Sequence, residues 1–286
     1  MAEHEIPKYI YEPNSFVCGG VAALFGSVAG FHLWQNKKSN TWWFLPFALC
    51  GIAESLGWVS RFFNARQAPD YETFPYAAQF SIILASPVLL SMSMYLTMAR
   101  IVTLTGGEAP FPIKMKWFTK AFLGGDSSSL GMMGIGGAFF AGSSDPTKGI
   151  AGFAAKMVPA GLGHHIIFSV VFIIVVMIFH IRIMRNPTVR SMIVGREWIQ
   201  FLWLFYISNI LLIARNVLRL AMFIQGPIGP LSSKEIYFVL MDSLPIFLIM
   251  AMFGLRHPGL LANSRGSVLL DEERPEESTE IYEMRK

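Results

Sequence analysis

Long apolar stretches separated by short polar connections recur along the whole chain. Each is close to or above the roughly 20 residues that an α-helix needs to cross the hydrocarbon core of a bilayer. The pattern predicts an all-α fold, a polytopic membrane protein built as a seven-transmembrane helix bundle. The predicted spans are 16–35, 42–64, 76–104, 117–142, 150–182, 198–224 and 234–256.

The fourth predicted span is the least apolar of the seven. Its sequence, FLGGDSSSLGMMGIGGAFFAG at 122–142, is rich in Gly and Ser. Small residues in a transmembrane helix let neighbouring backbones approach closely. We therefore expect this helix at the centre of the bundle rather than against lipid.

Lysines and arginines are distributed unevenly among the connections. The loops after the first, third and fifth spans carry Lys37, Lys38, Lys114, Lys116, Arg182, Arg185, Arg190 and Arg196, whereas the alternate loops carry only Arg66, Lys148 and Lys234. Because cytoplasmic loops hold the excess of positive charge, the N-terminus is predicted outside and the C-terminus in the cytoplasm. The predicted layout is an extracellular segment 1–15, a seven-transmembrane domain 16–260 and a cytoplasmic, acidic, disordered tail 261–286.

The composition fits a membrane protein. Apolar residues make up 53% of the chain and charged residues only 15%, whereas soluble domains carry about 25% charged residues. The net charge of +4 is explained by the basic loops, so no nucleic-acid partner is expected.

Ionisable residues inside predicted spans are costly and are usually functional or paired. The spans contain Glu54, Arg61, Asp126, His164, His165, Arg215, Arg219, Glu235 and Asp242. Arg215 and Arg219 share a helix face because they are four residues apart, and acids on the second and seventh spans are expected to compensate them. Two interpretations stay open: a polar, ligand-binding cavity in the outer half of the bundle, or a structural ion-pair network.

No catalytic or metal motif stands out. HExxH, G-x-S-x-G and P-loop patterns are absent from the sequence, and the adjacent His164 and His165 point about 100° apart on a helix, so one packed histidine is favoured over a metal pair. Cys18 and Cys50 are interpreted as buried free thiols, with a disulfide as the alternative. Pro87 and Pro245 are predicted to kink their helices and free a backbone carbonyl.

Several ordered motifs resemble one known family. They are YEPNSF at 11–16, ESLGWVSR at 54–61, SPVLLSMSMYLTMARI at 86–101, Asp126 with Gly136 and Gly137, AGLGHH at 160–165, RNVLRLAM at 215–222, Glu235 with Tyr237 and Asp242, and HPG at 257–259. Together they are similar to the fungal lipid-translocating exporters, the RTA-like family named for aminocholesterol resistance. Where the family pattern has Gln, Gln and Glu, this chain has Met133, His165 and Met222.

The resemblance implies a protein that binds and exports an amphiphilic lipid, most simply a sphingoid long-chain base. The implied substrate-binding residues are Glu54, Arg61, Tyr95, Asp126, His165, Arg215, Arg219, Glu235 and Asp242. On this interpretation the carboxylates meet the ammonium of the lipid, and the arginines hold those carboxylates ionised or bind a lipid phosphate. The Phe- and Met-rich spans house the hydrocarbon chain.

Two other functions stay open at this stage. One is an intramembrane enzyme acting on a lipid or terpenoid, with Asp126, His165 and Glu54 as acid–base residues, although the sequence favours a protein that is not an enzyme. The other is a seven-transmembrane sensor. Cofactors are not predicted, and the expected partners are membrane lipids and an amphiphilic small molecule, with a homodimer left open. The plasma membrane is the expected location, and the endoplasmic reticulum is the alternative.

Overall fold

The computed structural model describes residues 9, 11–143, 149–194, 196–225 and 234–261. The all-α prediction is confirmed, since the described residues form helices and connections without a strand. The helices are α1 (Ser15–Ser39), α2 (Leu45–Ala65), α3 (Thr73–Ala85), α4 (Val88–Leu104), α5 (Met115–Ala141), α6 (Gly149–Arg185), α7 (Val189–Ile193), α8 (Glu197–Gln225), α9 (Glu235–Phe238) and α10 (Leu244–Leu255). A 3₁₀ turn at Trp42–Phe44 precedes α2, and a π-helical turn at Val239–Ser243 joins α9 to α10.

Local chemistry sets the two ends of the first helix. Asn14 lies in extended conformation just before α1, and its side chain accepts hydrogen bonds from the N–H groups of Phe16 at 2.9 Å and Val17 at 3.4 Å. This satisfies donors that the first helical turn leaves free. At the other end Asn40 adopts a left-handed conformation with φ of 53°, which terminates the helix.

Six stretches of the described chain are long and apolar enough to cross a membrane: Ser15–Ser39, Trp42–Ala65, Thr73–Leu104, Gly149–Arg185, Glu197–Gln225 and Glu235–Leu261. They correspond to the predicted spans one, two, three, five, six and seven. Helix α5, the predicted fourth span, has 27 residues but is not among the six. Its Gly and Ser content lowers its apolarity, so a seventh crossing and the orientation of the termini stay predictions.

The helices form a ring around one inner segment. Each ring helix contacts the next one in the order α1, α2, α3, α5, α6, α8 and α10, and α10 contacts α1. Helix α4 lies inside, against α2, α5, α6 and α8. The third span, which contains α4, is accordingly the most buried of the six.

The expectation that the fourth span is central is therefore wrong. Helix α5 lies in the ring, and its Trp117 and Ile135 are exposed. Its small residues do allow close packing, but on one face only. A Cβ on Gly136 would lie 2.9 Å from Met157 Cβ of α6, and a Cβ on Gly137 would lie 3.3 Å from Ser81 Cα of α3. The glycines of α5 therefore indicate close contacts with neighbouring helices rather than a central position in the bundle.

Proline interrupts two of the spans, as the sequence predicts. The third span breaks at Ser86 and Pro87, between α3 and α4. Pro87 has no N–H with which to reach the carbonyl of Ile83 four residues earlier. Pro245 follows the π-helical turn and lies in the first turn of α10, where a missing N–H costs little.

Cys18 and Cys50 are both buried and free, as the sequence predicts. The predicted cytoplasmic tail lies outside the described residues, apart from Leu261.

Candidate functional site

Asp242 in the π-helical turn compensates both arginines of α8. Its Oδ1 lies 2.8 Å from Nε of Arg215 and accepts a hydrogen bond from Nε of Arg219 at 2.6 Å, while Oδ2 accepts from a second Arg219 nitrogen at 2.6 Å. Asp242 and Arg215 are almost wholly buried. The predicted compensation by the seventh span is confirmed. Because π-helical turns insert a residue into a helix, the turn sets the direction in which Asp242 points.

Arg215 also donates hydrogen bonds to backbone carbonyls at the break in the third span. Its guanidinium donates to the carbonyls of Ile83 at 2.7 Å and Leu84 at 3.4 Å. The Ile83 carbonyl is the one that Pro87 cannot pair. The carbonyl that the break frees therefore accepts a hydrogen bond from the buried guanidinium, and each group gives the other a partner. The freed carbonyl is the one that the sequence predicts from the proline.

Glu54 of the second span forms no direct ion pair with these arginines, but both guanidinium groups attract its carboxylate electrostatically, so its part in the predicted compensation is at longer range. Its Oε1 accepts a hydrogen bond from Ser86 Oγ at 2.5 Å. In the described chain it forms no ion pair within 4.0 Å, and its Oε2 has no hydrogen-bond partner. Ser86 belongs to the same break, which places its hydroxyl beside α2. The sequence indicates the shared face of Glu54 and Arg61, but not the neighbour that each meets.

Arg61 pairs with Glu235 at the end of the bundle where α2 ends and α9 begins. One Arg61 nitrogen lies 3.5 Å from Oε1 of Glu235 and donates to the Tyr11 hydroxyl at 2.5 Å, and the other donates to Gln79 Oε1 at 3.2 Å. Glu235 Oε2 accepts from the backbone N–H of Asn14 at 2.9 Å. These contacts tie the segment before α1 to α2, α3 and α9.

Four aromatic rings surround the Arg61 guanidinium. Its central carbon lies 4.7 Å from the ring centre of Phe238, 5.2 Å from Tyr9, 5.6 Å from Trp58 and 5.7 Å from Tyr11. We call Tyr9, Tyr11, Trp58 and Phe238 the aromatic cage. The predicted cavity, open toward the outside, is instead covered here by Tyr9 and Tyr11, because these rings pack on the arginine.

Asp126 of α5 is the buried carboxylate that has no cationic partner among the described residues. It is 0% exposed, and neither of its oxygens accepts a hydrogen bond from the described residues. The Tyr95 hydroxyl lies beside the carboxylate, and Nε2 of His165 lies 3.9 Å from Oδ2. The other spanning carboxylates differ, since Asp242 and Glu235 meet arginines and Glu54 meets Ser86.

Hydrogen bonds fix the tautomer of His165. Arginine can only donate, so the 3.2 Å contact from Arg215 identifies the Asn216 atom it meets as the amide oxygen. The Asn216 amide nitrogen then donates to His165 Nδ1 at 2.9 Å. His165 Nε2 therefore carries the hydrogen, 2.9 Å from Ser91 Oγ and on the side of Asp126. His164 instead contacts Ser129, at 2.8 Å, so the two histidines diverge as predicted.

Aromatic residues close the site on the side of the α5 N-terminal end. The Tyr95 ring lies 4.9 Å from Phe122 and 4.8 Å from Phe172, and Phe122 is one turn from Asp126. The Tyr95 hydroxyl is buried and has no hydrogen-bond partner among the described residues. A separate cavity of about 230 Å³, lined by Glu108, Phe111, Ile113, Lys114 and Met115, lies in the α4–α5 connection, away from this site.

The family model described as "RTA1 like protein" matches residues 47–265. The chain belongs to the RTA1-like family. The match begins two residues into α2, continues to the end of α10, and includes all the spanning charges described above. With six helices apolar enough to cross a bilayer, this RTA1-like protein is an integral membrane protein.

Curated relatives of the RTA1-like chain come from the yeast Saccharomyces cerevisiae. Protein RTA1 is 29% identical over 216 residues, which is 75% of this chain and 65% of that protein. Protoporphyrin uptake protein 1 is 27% identical over 73% of this chain and 67% of its own length. Sphingoid long-chain base transporter RSB1 is 22% identical over 85% of this chain and 71% of its own length. The chain thus spans about two thirds of the length of the first two, and no solved structure matches it.

The structure of this RTA1-like protein brings most of the predicted site residues into one chain of contacts. It pairs Arg61 with Glu235 and both Arg215 and Arg219 with Asp242, and it places His165 3.9 Å from Asp126 without a hydrogen bond. Sequence reasoning missed the partners that are neither charged nor periodic: Tyr9, Trp58, Gln79, Ser86, Ser91, Asn216 and Phe238. A usable signal existed for Trp58, three residues before Arg61, and for Asn216, next to Arg215.

Proposed function

We propose that this protein binds the ammonium group of an amphiphilic lipid, most simply a sphingoid long-chain base, at Asp126 and moves the lipid across the bilayer. The buried Asp126 carboxylate, which has no cationic partner among the described residues, is the single observation that carries the proposal. The relative named as a sphingoid long-chain base transporter supports the substrate class. We place this activity in the plasma membrane.

The electrostatics of Asp126 favour a cationic ligand. A buried charge without a partner is costly, by several kcal/mol after relaxation. Asp242 and Glu235 have arginines close by, so an added ammonium would have to compete with an existing cation. At Asp126 it would meet no such competitor among the described residues, and it would supply both the charge and the N–H donors that the carboxylate lacks.

Neighbouring side chains would complete the head-group site. The tautomer of His165 directs an N–H toward Ser91 and Asp126, so this group can donate to the carboxylate or to a hydroxyl of the lipid, and the neutral imidazole adds no competing positive charge. The Tyr95 hydroxyl, which lacks a hydrogen-bond partner among the described residues, can accept from the ammonium or from a hydroxyl of the lipid. Sphingoid bases carry both groups close together.

Tyr95, Phe122 and Phe172 cover the Asp126 site on one side, and the aromatic cage with Arg61 covers the end of the bundle where α2 ends and α9 begins. These two covers fit a cycle in which one cover opens at a time. No nucleotide-binding motif occurs in the sequence, so we propose facilitated movement down a gradient.

The test is flux of a fluorescent sphinganine analogue in vesicles that contain the purified protein. Asp126→Asn keeps the shape of the side chain but removes its charge. We expect it to lower protein-dependent flux at least tenfold and to abolish co-purification of sphingoid base in native mass spectrometry. Ser128→Ala is the matched control, because Ser128 is exposed on the same helix and bonds only its own backbone at Gly125.

Two results would reject the proposal. One is equal flux for Asp126→Asn and wild type, with both proteins folded. The other is that Asp126→Asn lowers the flux of an uncharged lipid of the same chain length as much as it lowers the flux of the base. A carboxylate that binds the ammonium should affect only the charged lipid.

A further inference from the structure

The aromatic cage around Arg61 has the composition of a cation receptor. Four rings lie within 6 Å of one guanidinium carbon, which is the range of cation–π attraction, and ligand ammonium groups are recognised by such cages. Glu235 adds a carboxylate and Gln79 an amide oxygen. An ion pair alone would need only the carboxylate, whereas the rings supply a surface for a methylated or alkylated cation.

The cage can be reached from outside the helix ring. Glu235 is 15% exposed, and Tyr9 and Tyr11 are only partly buried. Both tyrosines belong to the segment before α1 rather than to a helix. Burial raises the pKa of Tyr11 above its usual value, so its hydroxyl stays neutral and does not add a second anion to the cage.

Three sets of contacts hold the segment over the cage. Tyr9 accepts hydrogen bonds from Asn64 at 3.1 Å and from Gln79. Tyr11 accepts from Arg61, and the Asn14 backbone donates to Glu235. Two of these partners, Arg61 and Glu235, are the charged groups of the cage itself. A ligand that displaced Arg61 from the cage would therefore also release Tyr11.

We propose that the cage is a second, exchangeable cation site for the ammonium of the amphiphile, which Arg61 fills when the ligand is absent. Its ligand identity rests on the proposed function, whereas its affinity for an alkylammonium ion does not. In this arrangement the lipid leaves Asp126, displaces Arg61 from the rings, and loosens the Tyr9–Tyr11 cover. The cage is thus both the outer binding site and the latch of the outer cover.

Tetramethylammonium, a soluble cation without a tail, tests the cage directly. Its ¹³C-methyl resonance is followed during titration of the protein in a non-ionic detergent, with neopentyl alcohol as the uncharged analogue of similar shape. Arg61→Ala and Arg61→Gln remove the cation that all four rings share and leave the rings, while Arg219 stays on the Phe238 ring at 4.5 Å. We expect either variant to bind tetramethylammonium at least tenfold more tightly than wild type, and neopentyl alcohol no more tightly.

A double variant shows whether the rings carry the effect. Adding Phe238→Leu to Arg61→Gln is expected to reverse the tightening, because the nearest ring is lost. Glu12→Ala, at an exposed residue of the same segment, is expected to bind as wild type does. All variants are repeated with Asp126→Asn, which disables the inner site. If the cage binds tetramethylammonium, the Arg61 variants still bind it more tightly when Asp126→Asn is also present. The result for the cage is therefore independent of the result for Asp126 in the flux assay.

Unchanged tetramethylammonium affinity in both Arg61 variants overturns the proposal. If neither variant folds, each is purified with guanidinium or tetramethylammonium present at millimolar concentration. Recovery of folded protein with these cations, but not with sodium, supports an exchangeable cage. Failure of every cation to restore folding shows that Arg61 is a fixed structural residue and overturns the proposal as well.

Discussion

Asp242 is the residue on which most of the buried charge depends. One carboxylate holds two guanidinium groups, at 2.8 Å and 2.6 Å. Arg215 has further acceptors in the Ile83 and Leu84 carbonyls. Arg219 has the face of Phe238 at 4.5 Å and otherwise depends on Asp242. Met222, one helical turn after Arg219, is uncharged, so α8 supplies no carboxylate there to share this role.

Replacing Asp242 by Asn should therefore destabilise the protein strongly. Removing one partner of a buried ion pair costs about 3–5 kcal/mol, because the other charge stays buried, and here two charges are left. The free energy of unfolding is measured by steric trapping in mixed micelles. Asp70→Asn, at an exposed residue outside the helices, is the control and should change it by less than about 0.5 kcal/mol. A loss below about 1 kcal/mol for Asp242→Asn would contradict the ion-pair account.

At the residue scale, the sequence predicts which side chains are buried and charged but not whom they meet. Helical spacing places Arg215 with Arg219 and Glu54 with Arg61 on shared faces, and all four are buried. Spacing gives no information on the rotation of one helix relative to another. For that reason the spacing predicts that acids compensate the two arginines of α8, but not that Asp242 pairs with them directly while Glu54 acts only at longer range.

At the element scale, the break in the third span does what a continuous helix cannot. It lets α3 lie in the ring while α4 lies inside, and it exposes the Ile83 carbonyl and the Ser86 hydroxyl to buried partners. The sequence predicts the kink from Pro87 alone. It does not predict that Arg215, far along the chain, satisfies the carbonyl that results.

Pro87→Ala should restore the regular helix. The alanine introduced there supplies the missing N–H, which competes with Arg215 for the Ile83 carbonyl. Spin labels at Phe74 and Thr103, both exposed, would then approach the roughly 44 Å that about 29 residues of straight helix span. Double electron–electron resonance measures this distance, and sphinganine flux is expected to fall at least tenfold because Arg215 and Ser86 are misplaced.

Pro46→Ala provides the control for this change. Pro46 lies in the first turn of α2, where N–H groups have no intrahelical acceptor in any case. Neither distance nor flux should change. A shorter or unchanged distance in Pro87→Ala would show that packing, rather than the proline, holds the break.

At the scale of the whole molecule, the helices close a ring around α4. The hydropathy pattern predicts the helices and their approximate bounds, because apolar length is a local property. The ring order is not local. It depends on which faces interlock, as where Gly136 of α5 admits Met157 of α6, and single-sequence patterns do not give that pairing.

The predicted orientation is tested by labelling cysteines in intact cells with a membrane-impermeant maleimide. The native Cys18 and Cys50 are buried, so wild type should not react. Glu72→Cys, in the α2–α3 connection, should react from outside. Lys116→Cys, at the start of α5, should react only after permeabilisation, because the basic loops are expected in the cytoplasm.

The reverse labelling pattern would invert the topology. Equal labelling of both variants in intact cells would mean that the chain between them crosses the bilayer an even number of times. Glu72 and Lys116 are both exposed, so lack of access within the fold would not explain a negative result.

The pairing of the Ile83 carbonyl with the Arg215 guanidinium also constrains how this sequence can evolve. Losing Pro87 first leaves a buried cation short of an acceptor, and losing Arg215 first leaves the Ile83 carbonyl with only the longer contact from the Ser86 hydroxyl, at 3.4 Å. Either single substitution therefore destabilises the protein, whereas a chain that lacks both residues avoids both defects. We therefore expect Pro87 and Arg215, far apart in the sequence, to be kept or lost together during evolution. A descendant that has one without the other should carry a compensating substitution nearby.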